Sequence, residues 1–289
     1  MKPAILLQLD TDTQPSVFDA VVAIDSGVDQ LLRHGGVTPD LVEGLVHGLL
    51  FTRGVAELNR SAIFIGGSHV DPAELLFRAV TKAFFGPFRV SVLLDPNGCN
   101  TTAAAAVLCA LKAYHGNLQG VKAGILAGTG PVGRRVARLL ARQGANVTIS
   151  SRTADRAGDV AQQLNVALGS SSSGVTGCTN QDLIDTHTDL EILIAAGAAG
   201  AQLVAKTQST KLSSLKLLID LNAVPPVGIE GVEPTDKDTP RDGIRCWGAL
   251  GVGGTKMKIQ RKAIQELFTS NTQCLDAEEI FALAMALAQ

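Results

Sequence analysis

The sequence predicts an α/β fold in two domains. Three observations carry that prediction. Short apolar strands alternate with stretches of helical apolar spacing, the pattern of parallel sheets covered by helices. At 289 residues the chain exceeds one typical domain. In mid-chain, Gly128, Gly130 and Gly133 stand between an apolar strand and a helical apolar face, the setting that makes a GxGxxG run meaningful. The first domain is therefore read as parallel α/β, and the second as a Rossmann-type dinucleotide-binding domain.

In chain order, residues 4–9 form an apolar first strand, and a helix opens after Ser16. Thr38 and Pro39 are an N-cap and first-turn pair for a helix running to about His47. Residues 62–65 are a buried strand ending in Gly66 and Gly67. A helix beginning at Asp71 and Pro72 carries Leu75, Leu76, Ala79 and Val80 inward. Residues 90–94 form a strand, and an alanine-rich helix covers about 101–114. His115 and Gly116 mark the end of the first domain.

The second series begins at Val121: the strand before the glycines, its helix, and a strand over 147–150. A helix with Val160 and Leu164 follows, then a serine-glycine loop at 170–174. Strands are expected at 191–195 and 215–220, with Pro225 and Pro226 breaking the chain after them. Helical spacing returns over 256–268, and a last helix starts near Asp276. The expected domains are residues 1–116, residues 117–255, and C-terminal helices over 256–289 that return to the first domain.

Composition narrows the function. The net charge is −2 and no basic tract occurs, which disfavours a nucleic-acid partner. The N-terminal apolar run is too short for a signal peptide and is broken by Asp10. The nine-residue run at 103–111 is far short of a membrane span. Five cysteines with no CxxC pair read as free thiols in a cytoplasmic protein, and the five scattered histidines suggest no metal.

The glycines have separate duties. Gly128 allows a tight turn, Gly130 lets the backbone approach a pyrophosphate, and Gly133 lets the helix pack on the strand. Thr129, Pro131 and Val132 complete the loop, whose helix-start N–H groups would face phosphates. About 20 residues after such a loop, an NAD-binding chain usually places an acidic residue on the ribose. Here Ser150, Ser151 and Arg152 stand at that strand end. Hydroxyls and a guanidinium suit a 2′-phosphate, so NADP is favoured and NAD remains possible. The plain alternative for Arg152 is an exposed residue near a helix cap. Ala196 and Gly197, and Asn222, follow the next strand ends and are candidates near the nicotinamide.

The substrate side is expected from the first domain, across a cleft. Residues 95–102 are dense in polar groups, and Asn97, Asn100 and Thr102 are candidate contacts. Asn100 or Thr101 could equally cap the helix. Asp10 and Asp12 end the first strand at the same rim, with Phe18 shortly after. The glycine run 248–254 lacks a GKS or GKT ending and is not a P-loop. It reads as a close-packed turn that delivers Lys256 to the cleft, or leaves it as a first-turn surface lysine.

LDTDTQPSVFDAVV, RSAIFIGG, FFGPFRVSVLLDPNGCNTTAAAA, LAGTGPVGRRVARLLA and WGALGVGGTKMKIQRKAIQELF follow one another along the chain, and DAEEIFALA closes it. In these segments the chain resembles the bacterial NAD(P)-dependent methylene-tetrahydromethanopterin dehydrogenases. The match is collinear over nearly the whole length and weakest over 153–214. The resemblance implies hydride transfer from methylene-tetrahydromethanopterin to NADP or NAD, giving the methenyl cation in formaldehyde oxidation. It also implies a homo-oligomer, and a plan similar to methylene-tetrahydrofolate and shikimate dehydrogenases.

No proton need leave in that reaction, so no general base is expected. A carboxylate near the developing cation would lower the barrier, with Asp12 and Asp95 as candidates. Lys256 would orient the pterin, and Phe18, Asn97, Asn100 and Thr102 would line its site. Two alternatives stand beside this reading: a methylene-tetrahydrofolate dehydrogenase, and a non-catalytic module that senses NADP.

Overall fold

The computed structural model describes residues 2–169 and 174–288. The serine-glycine loop expected at 170–174 lies outside the described residues, apart from Gly174. Contacts divide the chain into two compact units, Met1–Thr101 with Met257–Gln289, and Thr102–Lys256.

In chain order the elements are β1 (Ile5–Asp10), α1 (Val17–Asp25), β2 (Gln30–His34), α2 (Pro39–Leu50), β3 (Ser61–Gly66), α3 (Val70–Lys82), β4 (Ser91–Leu94) and α4 (Cys99–Ala113). The second unit continues with β5 (Lys122–Leu126), α5 (Pro131–Arg142), β6 (Asn146–Ser151), α6 (Ala154–Leu168), β7 (Val175–Thr179), α7 (Asn180–Thr186), β8 (Ile192–Ala195), α8 (Lys206–Ser209), β9 (Leu217–Asp220), β10 (Lys237–Arg241) and β11 (Ile244–Trp247). The chain closes with α9 (Ala249–Glu266), β12 (Cys274–Leu275) and α10 (Ala277–Ala286).

The first unit is a five-stranded parallel sheet in the order β12-β4-β3-β1-β2. Its central strand β3 is buried at every residue, which is why 62–65 reads as a continuous apolar run. One face packs on α2 and α3 through Val42, Val46, Leu50, Leu76 and Val80. Two strands of this sheet escaped the sequence reading, as did β7, β10 and β11 of the second unit. β2 is an edge strand with mostly exposed residues, so it has no buried period to detect. β12 has two residues and exists only by pairing with β4.

The second unit is a seven-stranded sheet in the order β10-β11-β9-β8-β5-β6-β7. All pairings are parallel except β10 with β11. Leaving out β10, the parallel strands run in the 3-2-1-4-5-6 order of a doubly wound dinucleotide-binding sheet. The chain order reverses between β5 and β8, so the switch point is the carboxyl end of β5, where the glycine loop begins.

Two boundaries differ from expectation. The unit division falls after Thr101, inside α4, rather than at Gly116. α4 starts at Cys99, because residues 96–98 form a single 3-10 turn that feeds it directly. The glycine run before Lys256 is not a turn: α9 starts at Ala249 and contains Gly251, Gly253 and Gly254. Close approach explains part of that composition. A Cβ on Gly251 would lie 1.9 Å from the Asp236 carbonyl oxygen, and one on the preceding Gly248 1.9 Å from that of Glu233. Lys256 therefore sits in the third turn of α9 and is half-buried.

Candidate functional site

The glycine loop shows the division of labour the motif requires. A Cβ on Gly128 would lie 2.9 Å from both the Ile125 carbonyl oxygen and the Ile149 Cβ. On Gly133 it would lie 2.6 Å from the Gly128 Cα, so α5 can seat on the loop only without a side chain there. Gly130 is different. The nearest protein atom to its Cβ would be 3.7 Å away, at ordinary contact distance. Among the described residues nothing demands glycine at 130, and the space suits a ligand that comes close to the backbone.

α5 is built to leave donors free. Gly130 is its N-cap and Pro131 its first residue, and among the described residues no side chain caps the N–H groups of Val132 and Gly133. Thr129 is buried, its carbonyl accepts from Arg134 Nε at 3.1 Å, and its hydroxyl has no partner among the described residues. These features fit a pyrophosphate at the helix start.

Ser150 and Ser151 end β6 with different fates. Ser150 is fully buried: its carbonyl accepts the Gly128 N–H at 2.9 Å, and its hydroxyl lies 2.7 Å from Asn180 Oδ1. Ser151 is 6% exposed, and its hydroxyl has no partner among the described residues. Arg152 is exposed and likewise makes no hydrogen bond or ion pair among them. Sequence reasoning missed Arg156, a second exposed arginine, unpaired among the described residues, in the first turn of α6. Its spacing of four from Arg152 was the available signal.

The other cofactor-side candidates are more occupied. Ala196 donates its N–H to the Leu126 carbonyl at 3.0 Å, and a Cβ on Gly197 would lie 2.9 Å from Leu203 Cδ1. Asn222 is a loop clamp. It accepts from the N–H groups of Val224 at 2.9 Å and Gly200 at 3.3 Å, and donates to the Pro226 carbonyl at 2.9 Å. Asp220, at the end of β9, is a buried carboxylate that accepts from the Asn222 and Ile229 N–H groups. Burial raises its pKa above the ordinary carboxylate value, against the opposing pull of those bonds.

In the first unit, the carboxyl-end rim consumes most of its own polar groups. Asp10 Oδ1 accepts from the Asp12 N–H at 2.9 Å, and its Oδ2 from the Ser16 N–H at 3.1 Å. Asp95 is fully buried. Its Oδ1 accepts from the N–H groups of Asn100 and Thr101, and its Oδ2 from the Thr101 hydroxyl at 2.6 Å. Asn100 is fully buried too, donating to the Leu94 carbonyl at 2.6 Å and to Asp276 Oδ1 at 2.9 Å. Asp276 is in turn the N-cap of α10, closing a capping box with Glu279.

Four candidates keep reactive atoms or surfaces open. Asp12 is half-exposed: its Oδ2 accepts from the Ser68 N–H at 3.0 Å and hydroxyl at 2.5 Å, and its Oδ1 accepts nothing among the described residues. Asn97 is exposed with φ +52°, and its amide has no partner among the described residues. Thr102 is half-buried with an unpartnered hydroxyl among them. Phe18 is 52% exposed on α1. The helix is anchored beside it, since Asp19 Oδ1 accepts from Gln260 Nε2 at 2.8 Å in a buried pair. Sequence reasoning missed Gln260. Lys256 lies one turn before it on α9, and so on the same face of that helix.

All five cysteines are free thiols. Among the described residues, no group of three His, Cys, Asp or Glu could hold a metal ion, and no helix is long and apolar enough to cross a membrane.

A parallel sheet in the 3-2-1-4-5-6 order, with a glycine loop at its switch point, defines the chain as a dinucleotide-binding protein of the Rossmann class. Residues 17–97 match the family model described as methylene-tetrahydromethanopterin dehydrogenase, N-terminal. Residues 122–224 match the one described as NADP oxidoreductase coenzyme F420-dependent. The chain belongs to the methylene-tetrahydromethanopterin dehydrogenase family.

Two relatives from Methylorubrum extorquens span this chain from end to end. One, named Bifunctional protein MdtA, is 43% identical over 288 residues, covering 100% of both chains. The other, named NAD(P)-dependent methylenetetrahydromethanopterin dehydrogenase, is 31% identical over 297 aligned positions, again covering 100% of both. Among solved structures, quinate dehydrogenase from Corynebacterium glutamicum matches with a TM-score of 0.52 at 14% identity, covering 99% of this chain and 100% of that one. That likeness concerns the fold alone.

Proposed function

We propose that this chain oxidises methylene-tetrahydromethanopterin to the methenyl form, with NADP preferred to NAD as hydride acceptor. The reaction is supported by end-to-end relatedness to a protein named for it. The coenzyme preference rests on one observation: Ser151 and Arg152, with Arg156 close behind, meet the end of β6 without protein partners among the described residues. An acidic residue there would repel a 2′-phosphate, whereas a guanidinium attracts it.

When bound, the coenzyme supplies nicotinamide C4 as the hydride acceptor. The methylene carbon lies between two nitrogens, so its C–H bond breaks with the electron pair leaving, and nitrogen lone pairs delocalise the cation. The protein's task is to position the substrate and to stabilise that charge. The N–H groups of Val132 and Gly133 would hold pyrophosphate, while Arg152 and Ser151 would hold the 2′-phosphate. Ala196, Gly197 and Asn222 shape the backbone beside the nicotinamide, Asn222 through its clamp on the loop that follows β9.

Of the two acidic candidates, Asp12 is the one assigned to the cation, because its Oδ1 remains open. Asp95 becomes a positioning residue that holds the start of α4, and Asn100 fastens the same turn to α10. Asn97, Thr102 and the ring of Phe18 are assigned to the pterin, and Lys256 orients it. The enzyme is further proposed to be a cytoplasmic homo-oligomer. The free thiols fit a reducing compartment, and sedimentation measures the assembly.

The deciding experiment is a spectrophotometric assay of reduced coenzyme and methenyl product. It crosses tetrahydromethanopterin and tetrahydrofolate substrates with NADP and NAD. Turnover of methylene-tetrahydromethanopterin, with a higher kcat/KM for NADP, is expected. NADP binding without turnover of either pterin would replace the proposal with a sensing module.

A further inference from the structure

Asn180 opens α7 at the carboxyl end of β7, the strand next to β6. Its Oδ1 lies 2.7 Å from the Ser150 hydroxyl and accepts a long bond, 3.5 Å, from the Ala127 N–H. Both partners belong to the glycine-loop architecture. Ala127 immediately precedes Gly128 and holds φ +52°, a left-handed conformation that a residue with a Cβ seldom adopts. Ser150 accepts the Gly128 N–H through its carbonyl, and its hydroxyl also lies 3.3 Å from the Ile125 carbonyl.

These contacts settle which way the amide points. A hydroxyl can donate or accept, so Ser150 alone would tolerate either end of the Asn180 side chain. The Ala127 N–H can only donate, so the oxygen must face it. The –NH2 end is then directed away from the glycine loop's own groups. It makes no hydrogen bond among the described residues, and Asn180 is only half-buried.

We infer that Asn180 is a two-sided residue of the coenzyme site: its oxygen positions the glycine loop, and its –NH2 donates to an acceptor on the adenosine half of the coenzyme. This rests on the proposed coenzyme reading, which puts the adenosine ribose at the end of β6. β7 is the next strand outward, so the base passes over it. Adenosine carries ring nitrogens and ribose oxygens as acceptors, and these are common to NADP and NAD.

The test is binding of NADP and NAD, each by titration calorimetry, together with thermal melting of the apo chain, for wild type, Asn180→Asp and Asn180→Ala. Asn180→Asp keeps the acceptor oxygen and removes the donor. It is expected to melt with the wild type, to bind NAD about tenfold more weakly, and to lose at least as much for NADP. Asn180→Ala loses both sides, so it should melt lower and bind both coenzymes weakly. The inference is overturned if Asn180→Asp binds NAD as wild type does, since a loss confined to NADP is charge repulsion. It is equally overturned if that variant melts as low as Asn180→Ala, since the loss is then loop damage. A wild-type chain that binds neither coenzyme overturns the coenzyme reading and this inference together. Wild-type binding with an unaffected Asn180→Asp overturns this inference alone.

Discussion

The carboxyl-end rims of the two sheets are similarly polar in sequence and differ in how far their side chains are spent on the protein's own turns. In the first unit, Asp10, Asp95, Asn100 and Thr101 spend their side chains on the protein's own turns and helix starts. In the second, Thr129, Ser151, Arg152 and Arg156 leave theirs without partners among the described residues. Full burial decides two of these cases: Asp95 and Asn100 are 0% exposed, whereas Thr129 and Ser151 are buried at 8% and 6% with no hydroxyl partner among the described residues. A polar group withdrawn from water must be bonded internally, so the fully buried Asp95 and Asn100 are scaffold. An exposed guanidinium keeps its donors for a ligand. Polar density at a strand end thus marks a candidate rim, and only partner accounting says which side chains face a ligand.

The largest effects should come from breaking the scaffold. Asp95→Ala strands the buried N–H groups of Asn100 and Thr101 and should cost about 3 kcal/mol, read by denaturant unfolding. An unchanged midpoint would show that the rim does not depend on this carboxylate. Gly133→Ala forces a Cβ against the Gly128 backbone and should cost about 2 kcal/mol or more, lowering the melting temperature.

Arg152→Ala removes no partner contact among the described residues, so stability should hold while KM for NADP rises roughly tenfold to a hundredfold, about 1.5–3 kcal/mol. KM for NAD should barely move. Equal effects on both would place Arg152 away from the 2′-phosphate. Gly130→Ala sharpens the contrast with Gly133. The protein has room for its methyl group, so melting should be unaltered, while coenzyme binding weakens by about 1 kcal/mol, roughly fivefold.

The smallest effect is a pH dependence. Burial raises the Asp220 carboxyl, so the folded chain holds that proton more tightly than the unfolded chain does. Its stabilising contribution is full below the ordinary carboxylate pKa and is lost as pH rises through the raised one. Melting curves of wild type and Asp220→Asn across that acidic range should differ in slope in this sense. Parallel curves would show that Asp220 titrates alike in both states.

Much of this was legible in the residues. Gly128, Gly130 and Gly133 announced the switch point because backbone sterics are written directly into glycine spacing. Ser151 and Arg152 could be placed at the end of β6 because the motif sets the spacing to the next strand end. The role of Asp95 was not: a carboxylate after a strand looks the same whether it meets a ligand or caps the next helix. Asn180 was invisible, because its partners Ala127 and Ser150 are 53 and 30 residues away and meet it only across the sheet.

The same division applies to the whole chain. By itself the sequence determined two α/β units, the glycine loop and which residues stand at the end of β6, since hydrophobic period, glycine sterics and charge are local properties. Tertiary structure decided the rest. It recruited β12 to β4, drew the glycines of 251–254 into α9, and chose between scaffold and free donor at each rim. Those outcomes depend on partners distant in sequence and on burial, which exist only once the chain has folded.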